Sequence, residues 1–166
     1  AHDELENLRS LIPKLLELNY PEFEIIIALD RCIDKSVDYL KEINQPLLKY
    51  IEITETPLEW NSKKYALNEA IKKAKNEWLL LTDADCLPLS KNWISCFANQ
   101  INKQTNILIG YSPYQQQSSL LSSYIRFESF MTGVLYLSSA LSNRPYMAVG
   151  RNLAIRRSFF ESVNGY

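Results

Sequence analysis

Glycine is scarce in this chain, with four in 166 residues: Gly110, Gly133, Gly150 and Gly165. They lie too far apart to build the G-x-G-x-x-G turn of a dinucleotide-binding fold or a G-x-x-x-x-G-K phosphate loop, so both readings fall away. Histidine occurs once, and the three cysteines, Cys32, Cys86 and Cys96, include no C-x-x-C pair. That set cannot make an ordinary structural zinc site, and the thiols are expected to be reduced and buried, as in a cytosolic protein. Charge of neither sign dominates, since 18 Lys and Arg stand against 19 Asp and Glu for a formal net charge of -1. No global positive field draws the chain to nucleic acid, and no such partner is expected. A run of about 18 apolar residues is missing, so no spanning helix is expected, and no basic-then-apolar opening suggests a signal peptide. What remains is an ordinary globular composition, 46% hydrophobic and 22% charged, in a length that suits one domain over residues 1–166.

Apolar spacing then divides the chain into elements. Leu5, Leu8, Ile12, Leu15 and Leu16 recur at helical intervals and predict a helix over 4–18, with Asp3 and Glu6 as a capping box and a bend at Pro13. Residues 23–29, FEIIIAL, form the short β-branched run of a strand buried on both faces. A helix over 36–43, a strand over 48–53 and a loop over 54–62 follow. The face Ala66, Leu67, Ala70, Ile71 and Ala74 predicts a helix over 63–75, and 78–82 an apolar strand that ends in carboxylates. Next come a helix marked by Trp93, Ile94, Phe97 and Ile101, a strand over 105–111, an apolar helix over 120–141, a strand over 148–155 and a helix over 158–163 that Asn164-Gly165 stops. Alternating strands and helices predict an α/β fold, a mostly parallel sheet flanked by helices on both faces. Such sheets bind ligands beyond the carboxyl ends of their strands, where Asp30 and the Asp83–Asp85 cluster fall. The helix over 120–141 carries only Arg126 and Glu128 as charges and is apolar on nearly every side. It needs covering, either by this domain and further chain or by a membrane surface lying in its plane.

Asp83-Ala84-Asp85 closes the strand WLLLT. Residues two apart on an extended chain point the same way, so two hard carboxylates can face one Mg²⁺ or Mn²⁺ and leave coordination positions for water and phosphate oxygens. A D-x-D by itself is a weak signal, and its position after a buried strand strengthens it.

Five segments in order carry a resemblance. They are Ala1-His2-Asp3-Glu4-x-Glu6-Asn7-Leu8, Phe23-Glu24-Ile25-Ile26-Ile27-x-x-Asp30-Arg31, Lys63-x-x-Ala66-Leu67-Asn68-x-x-Ile71, Trp78-Leu79-Leu80-Leu81-Thr82-Asp83-Ala84-Asp85, and Gly150-Arg151-Asn152-Leu153-Ala154-Ile155-Arg156-Arg157-Ser158-x-Phe160. Together they resemble the family 2 nucleotide-sugar glycosyltransferases, with the Rossmann-like GT-A fold. The resemblance implies an inverting transfer of a sugar from a UDP- or GDP-linked donor to a hydroxyl of a glycan or lipid-linked acceptor, assisted by Mg²⁺ or Mn²⁺. It places Ala1 and His2 at the end of a first strand beside the base and ribose. Asp30 matches the second aspartate of an Asp-Asp pair that meets the base, with Leu29 in place of the first. Lys63 matches a lysine near the diphosphate, Asp83 and Asp85 the metal-binding D-x-D, and Arg151 and Asn152 fall on the sugar or acceptor side. The family's general base is a carboxylate that follows a G-[FY] segment, here Gly165-Tyr166, so it is expected after Tyr166, and the chain reads as a domain truncated at both ends. A place at the inner face of the cell membrane follows from the same resemblance.

Residue type alone leaves second readings open. His2 could be a disordered terminal residue, Lys63 a solvated helix-start lysine, Asp30 a helix cap, and Arg151 and Asn152 ties between helix and sheet, while Arg156 and Arg157 read as surface charges on a turn. Whole-chain rivals are a binding-only nucleotide module, a signalling receiver domain and a nucleotidylyltransferase. The receiver needs an acidic pair after its first strand and a lysine after its last, and no lysine follows Gly110. The nucleotidylyltransferase needs a glycine-rich entry loop with basic residues.

Overall fold

The computed structural model describes residues 1–165. Helix α1 (Leu5–Leu16) packs Leu8, Leu11, Ile12 and Leu15 onto strand β1 (Ile25–Asp30), where Ile25, Ile27 and Leu29 are buried, and Leu40 of α2 (Ser36–Glu42) completes this cluster. The other face of β1 turns Ile26 toward a second cluster of Ile71, Ala74, Leu79, Ile155 and Phe160. β1 is thus covered on both sides, as its unbroken apolar run requires. Leu8, Ile12, Leu29 and Leu40 are among the most completely buried side chains. Each contributes about 1.5–3 kcal/mol of burial, and Ile12→Ala would cost about 2–5 kcal/mol.

β2 (Leu48–Ile53) pairs with β1 in parallel, Ile25 opposite Leu48 through Asp30 opposite Ile53. On the other edge of β1 the Ala1 nitrogen donates to the Ala28 carbonyl at 2.7 Å and the Asp30 nitrogen to the Ala1 carbonyl at 2.8 Å. This is the slanted bond pair of a parallel ladder, so Ala1 is placed as a strand residue beside Leu29.

α3 (Ser62–Lys73), capped by the Asn61 side chain, leads to β3 (Trp78–Leu81), and α4 (Trp93–Ala98) to β4 (Ile107–Ile109). α5 (Leu120–Leu141) and a 3₁₀ turn, Gly150–Asn152, lead to β5 (Leu153–Arg156) and α6 (Arg157–Ser162). β5 lies between β3 and β4 and runs antiparallel to both. The described strands thus form two hydrogen-bonded sheets, a parallel β1–β2 pair and an antiparallel β3–β5–β4 sheet, in place of the one mostly parallel sheet that the alternation predicts. The chain leaves β4 and enters β5 at the same edge, because Ile109 pairs with Leu153, so the long link through α5 is a return rather than a crossover. The return matters for the site, since it sets the 3₁₀ turn beside the carboxyl end of β3.

Other expectations are corrected by packing. Asp3 does not cap α1: its Oδ1 accepts the Ile33 and Asp34 amides at 2.7 and 3.1 Å, and the Leu5 amide donates instead to Asp34 Oδ2 at 3.0 Å. The three thiols are free but not buried; Cys32 and Cys86 are half-buried and Cys96 exposed. Arg156 and Arg157 are not loose surface charges. Arg156 lies over the Trp78 ring and donates to the Thr105 carbonyl, and Arg157 donates to the Ala74 carbonyl at 3.0 Å, tying strand to strand and helix to sheet. α5 has the predicted bounds, yet only Ser122, Gly133 and Tyr136 of it are buried. No helix among the described residues is long and apolar enough to cross a membrane.

Candidate functional site

The carboxyl ends of β1 and β3 bring the predicted residues together. Asp30, the last residue of β1, is 7% exposed, and both of its oxygens are held by Arg31, Nε to Oδ1 at 2.8 Å and Nη2 to Oδ2 at 3.0 Å. This pairing holds the Asp30 carboxyl below the usual aspartate range. Arg31 reaches the position from the left-handed region, φ 49°, a conformation that costs a non-glycine residue energy and turns its side chain back over the strand end. Its Nη2 also donates to Ser62 Oγ at 2.9 Å, which links β1 to the start of α3. His2 Nδ1 lies 2.6 Å from the Asp30 carbonyl, so the histidine is fixed against β1 and the disordered reading is set aside. Asp30 does not cap the next helix, because Asp34 Oδ1 accepts the Ser36 amide there.

Lys63, one residue after Ser62, donates from Nζ to Asp83 Oδ1 at 2.7 Å. It is a largely solvated lysine at the start of α3, its side chain 74% exposed, and the ion pair links α3 to the segment after β3. A turn closed by the Cys86 amide on the Asp83 carbonyl carries Asp85, which is exposed and meets only the Cys86 thiol, at 3.5 Å, among the described contacts. Burial and the neighbouring Asp85 charge push that thiol up to about 11. Two carboxylates on one turn, one paired with an exchangeable lysine and one open to solvent, form a donor set of hard oxygens that fits Mg²⁺ or Mn²⁺. A second acidic group, Asp3 with Cys32 and Asp34, clusters within 4.8 Å. Its aspartates already accept backbone amides of Leu5, Ile33, Asp34 and Ser36, so it locks a turn.

The antiparallel return of β5 extends the site. Leu81 pairs with Leu153, so the 3₁₀ turn that carries Arg151 and Asn152 lies next to the end of β3, and the Arg151 charge acts on Cys86 in the turn that follows Asp83. The two residues differ in use. Asn152 is consumed by the scaffold: its Oδ1 accepts from Trp93 Nε1 at 3.0 Å, and its Nδ2 donates to the Tyr111 carbonyl at 3.0 Å. Arg151 lies over the Tyr114 ring, 5.0 Å from its centroid, and lines a cavity with residues of α5. The site residues are thus His2 and Asp30 with Arg31 at the end of β1, Lys63 at the start of α3, Asp83 with Asp85 after β3, and Arg151 in the turn before β5.

Sequence reasoning gave Arg31 no role, and nothing in residue type announces a left-handed arginine. It also missed the cavity wall on α5. Ile125, Glu128, Ser129, Thr132 and Tyr136 line that wall at helical spacing, and the polar members in an otherwise apolar helix were the available signal.

The chain has known relatives. The model of Glycosyl transferase family 2 matches residues 1–163. A poly-beta-1,6-N-acetyl-D-glucosamine synthase of Staphylococcus epidermidis is 35% identical over 87 residues, 51% of this chain and 20% of that protein. The probable glycosyltransferase YdaM of Bacillus subtilis is 24% identical over 100% of this chain and 41% of its own length. Among solved structures, the mannosyltransferase PcManGT of Pyrobaculum calidifontis, in complex with GDP-Man and Mn²⁺, superposes with a TM-score of 0.76 at 17% identity, covering 100% of this chain and 45% of that one. S. aureus TarS with UDP-GlcNAc gives 0.67 at 17% identity, covering 99% and 45%. The chain therefore spans less than half the length of these relatives, and its α/β architecture is that of GT-A glycosyltransferases. With the family model matching all but its last three residues, the chain belongs to glycosyl transferase family 2.

Proposed function

We propose that the protein transfers a sugar from a nucleoside-diphosphate donor, UDP- or GDP-linked, to a hydroxyl of a glycan or lipid-linked acceptor, with inversion at the anomeric carbon. The observation that carries the reading is the Lys63–Asp83 pair at 2.7 Å, set between the Asp30–Arg31 corner and the open Asp85 carboxylate. Such a corner suits a nucleotide laid across the strand ends. Ala1, His2 and Asp30 would hold the nucleoside. Lys63 would leave Asp83 for the diphosphate, freeing Asp83 to join Asp85 on the cation. Bound there, Mg²⁺ or Mn²⁺ would neutralise charge on the departing diphosphate. The relatives solved with GDP-Man and Mn²⁺ and with UDP-GlcNAc support the same donor class.

In the transfer, the acceptor oxygen bonds to the anomeric carbon as the carbon–oxygen bond to the diphosphate breaks, and the hydroxyl proton passes to a carboxylate supplied from outside residues 1–166. Arg151 would face the sugar or acceptor, and Asn152 would hold the turn that carries it through its bonds with Trp93 and the Tyr111 carbonyl. The exposed apolar surface of α5 suits further chain or the inner face of the cell membrane, where a lipid-linked acceptor would be met.

General-base assistance contributes about 10²–10⁴-fold. Residues 1–166 alone are therefore expected to give no measurable transfer, and a chain extended through the carboxylate-bearing segment to give turnover, read as released nucleoside diphosphate with a saccharide acceptor present. Equal transfer by both would contradict the placement of the base, and Glu128 would be the first carboxylate to replace.

A further inference from the structure

The corner at the end of β1 presents a guanidinium to solvent rather than a carboxylate. Asp30 is buried, and each of its oxygens already accepts an N–H of Arg31, at 2.8 and 3.0 Å. What reaches solvent there is the Arg31 side chain, 45% exposed. Its guanidinium is fixed on two sides, because Nη2 bonds Ser62 Oγ at 2.9 Å as well as Asp30 Oδ2. Nε and Nη2 are thereby committed, and Nη1 makes no hydrogen bond among the described residues. The backbone is held to match. The Arg31 amide donates to the Ile53 carbonyl at 2.8 Å, extending the β1–β2 ladder, while a φ of 49° keeps the residue in the left-handed region. That region disfavours a long side chain, and strain of this kind collects at binding sites.

Arg31 is also tied to the diphosphate end of the corner. Ser62, which holds its Nη2, precedes Lys63, whose Nζ meets Asp83 Oδ1 at 2.7 Å, so the first turn of α3 joins the guanidinium to the carboxylates after β3. A guanidinium has hydrogen-bond donors and no acceptor. A ring that offers a carbonyl oxygen forms a charge-assisted bond with Nη1, whereas a ring with an amino group at that place sets donor against donor. Uracil carries a carbonyl at position 4 where cytosine carries an amino group, and guanine a carbonyl at position 6 where adenine carries an amino group.

We infer that Arg31 reads the nucleobase of the donor: Nη1 donates to the carbonyl at position 4 of uracil or position 6 of guanine, and Asp30 is the positioning residue behind it. The inference rests on the transfer reading above and names the group that selects the base at that site. It is tested by calorimetry of UDP, CDP, GDP and ADP, each with Mn²⁺, on wild type and Arg31→Gly. Glycine adopts a φ of 49° freely, so the turn survives loss of the side chain. In wild type the nucleotide that binds best is expected to be UDP or GDP, at least tenfold tighter than its amino counterpart, CDP or ADP. In Arg31→Gly that ratio should fall to threefold or less. An Arg31→Gly variant in which all four nucleotides weaken alike and the ratio persists would show that Arg31 only shapes the corner, and overturns the inference. Equal binding of a carbonyl nucleotide and its amino counterpart by wild type also overturns it and leaves the transfer reading standing. Preference of wild type for the amino counterpart, or no nucleotide binding at all, overturns both.

Discussion

At Asp30 two nitrogens of one guanidinium meet two carboxylate oxygens, and that pairing has a pH signature. The Asp30 pKa is lowered in the fold by Arg31, so the pair contributes stability fully present above the ordinary aspartate value of about 3.9 and lost as pH falls through the lowered one. Because the Arg31 side chain is 45% exposed, solvent screens the pair, and Asp30→Asn should cost about 1 kcal/mol at neutral pH. Urea unfolding of wild type and variant should show that gap at neutral pH and its closure in acid; a gap unchanged in acid would contradict the assignment. Asp30 itself was legible because it ends an apolar run at the predicted ligand edge. Arg31 was not, since its left-handed backbone follows from the turn it completes and not from its own preference. Lys63 and Asp83 were each visible, but their ion pair spans 20 residues of sequence and only the fold joins them.

Elements were legible where periodicity is strong. Helix α5 and strand β2 have the bounds that spacing predicts, and β1 was recognisable from its β-branched run. Strand direction was not legible, because an apolar pattern marks a strand without saying which end enters the sheet, and the return through α5 makes β5 antiparallel. The α5 interface with the loop after β4 gives a packing test. Gly133→Val would drive a branched side chain into the Tyr111 ring, and overpacking should cost about 1–3 kcal/mol. Thermal unfolding should show that loss, and it should shrink in a Tyr111→Ala background because the two positions share one space. Equal losses in both backgrounds would mean that the ring is not what Gly133 accommodates. The solvent side of the same helix is apolar, with Leu121 67% and Phe127 62% exposed. Self-association by light scattering is expected at raised concentration and should fall in Leu121→Lys/Phe127→Glu. A monomeric wild type that binds no hydrophobic dye would show that the face needs no cover.

For the molecule as a whole, the order of segments along the chain carried more than any one motif. The D-x-D alone is weak, yet it follows a buried strand and meets Lys63 through Asp83, and the proposed diphosphate site rests on that pair. The cavity beside Arg151 stayed hidden because its walls come from β4's following loop, α5 and the turn before β5, three segments whose approach depends on the direction of β5. The central claim is that this corner binds a nucleoside diphosphate through a cation held by Asp83 and Asp85. Calorimetry of UDP and GDP binding, with Mn²⁺ and then with EDTA, tests it most directly in wild type and Asp85→Ala. The account predicts binding at least tenfold tighter with Mn²⁺ in wild type, and loss of that gain in Asp85→Ala with the fold intact, since an exposed strand-end carboxylate carries little stability. Equal affinity with Mn²⁺ and with EDTA in wild type would contradict it.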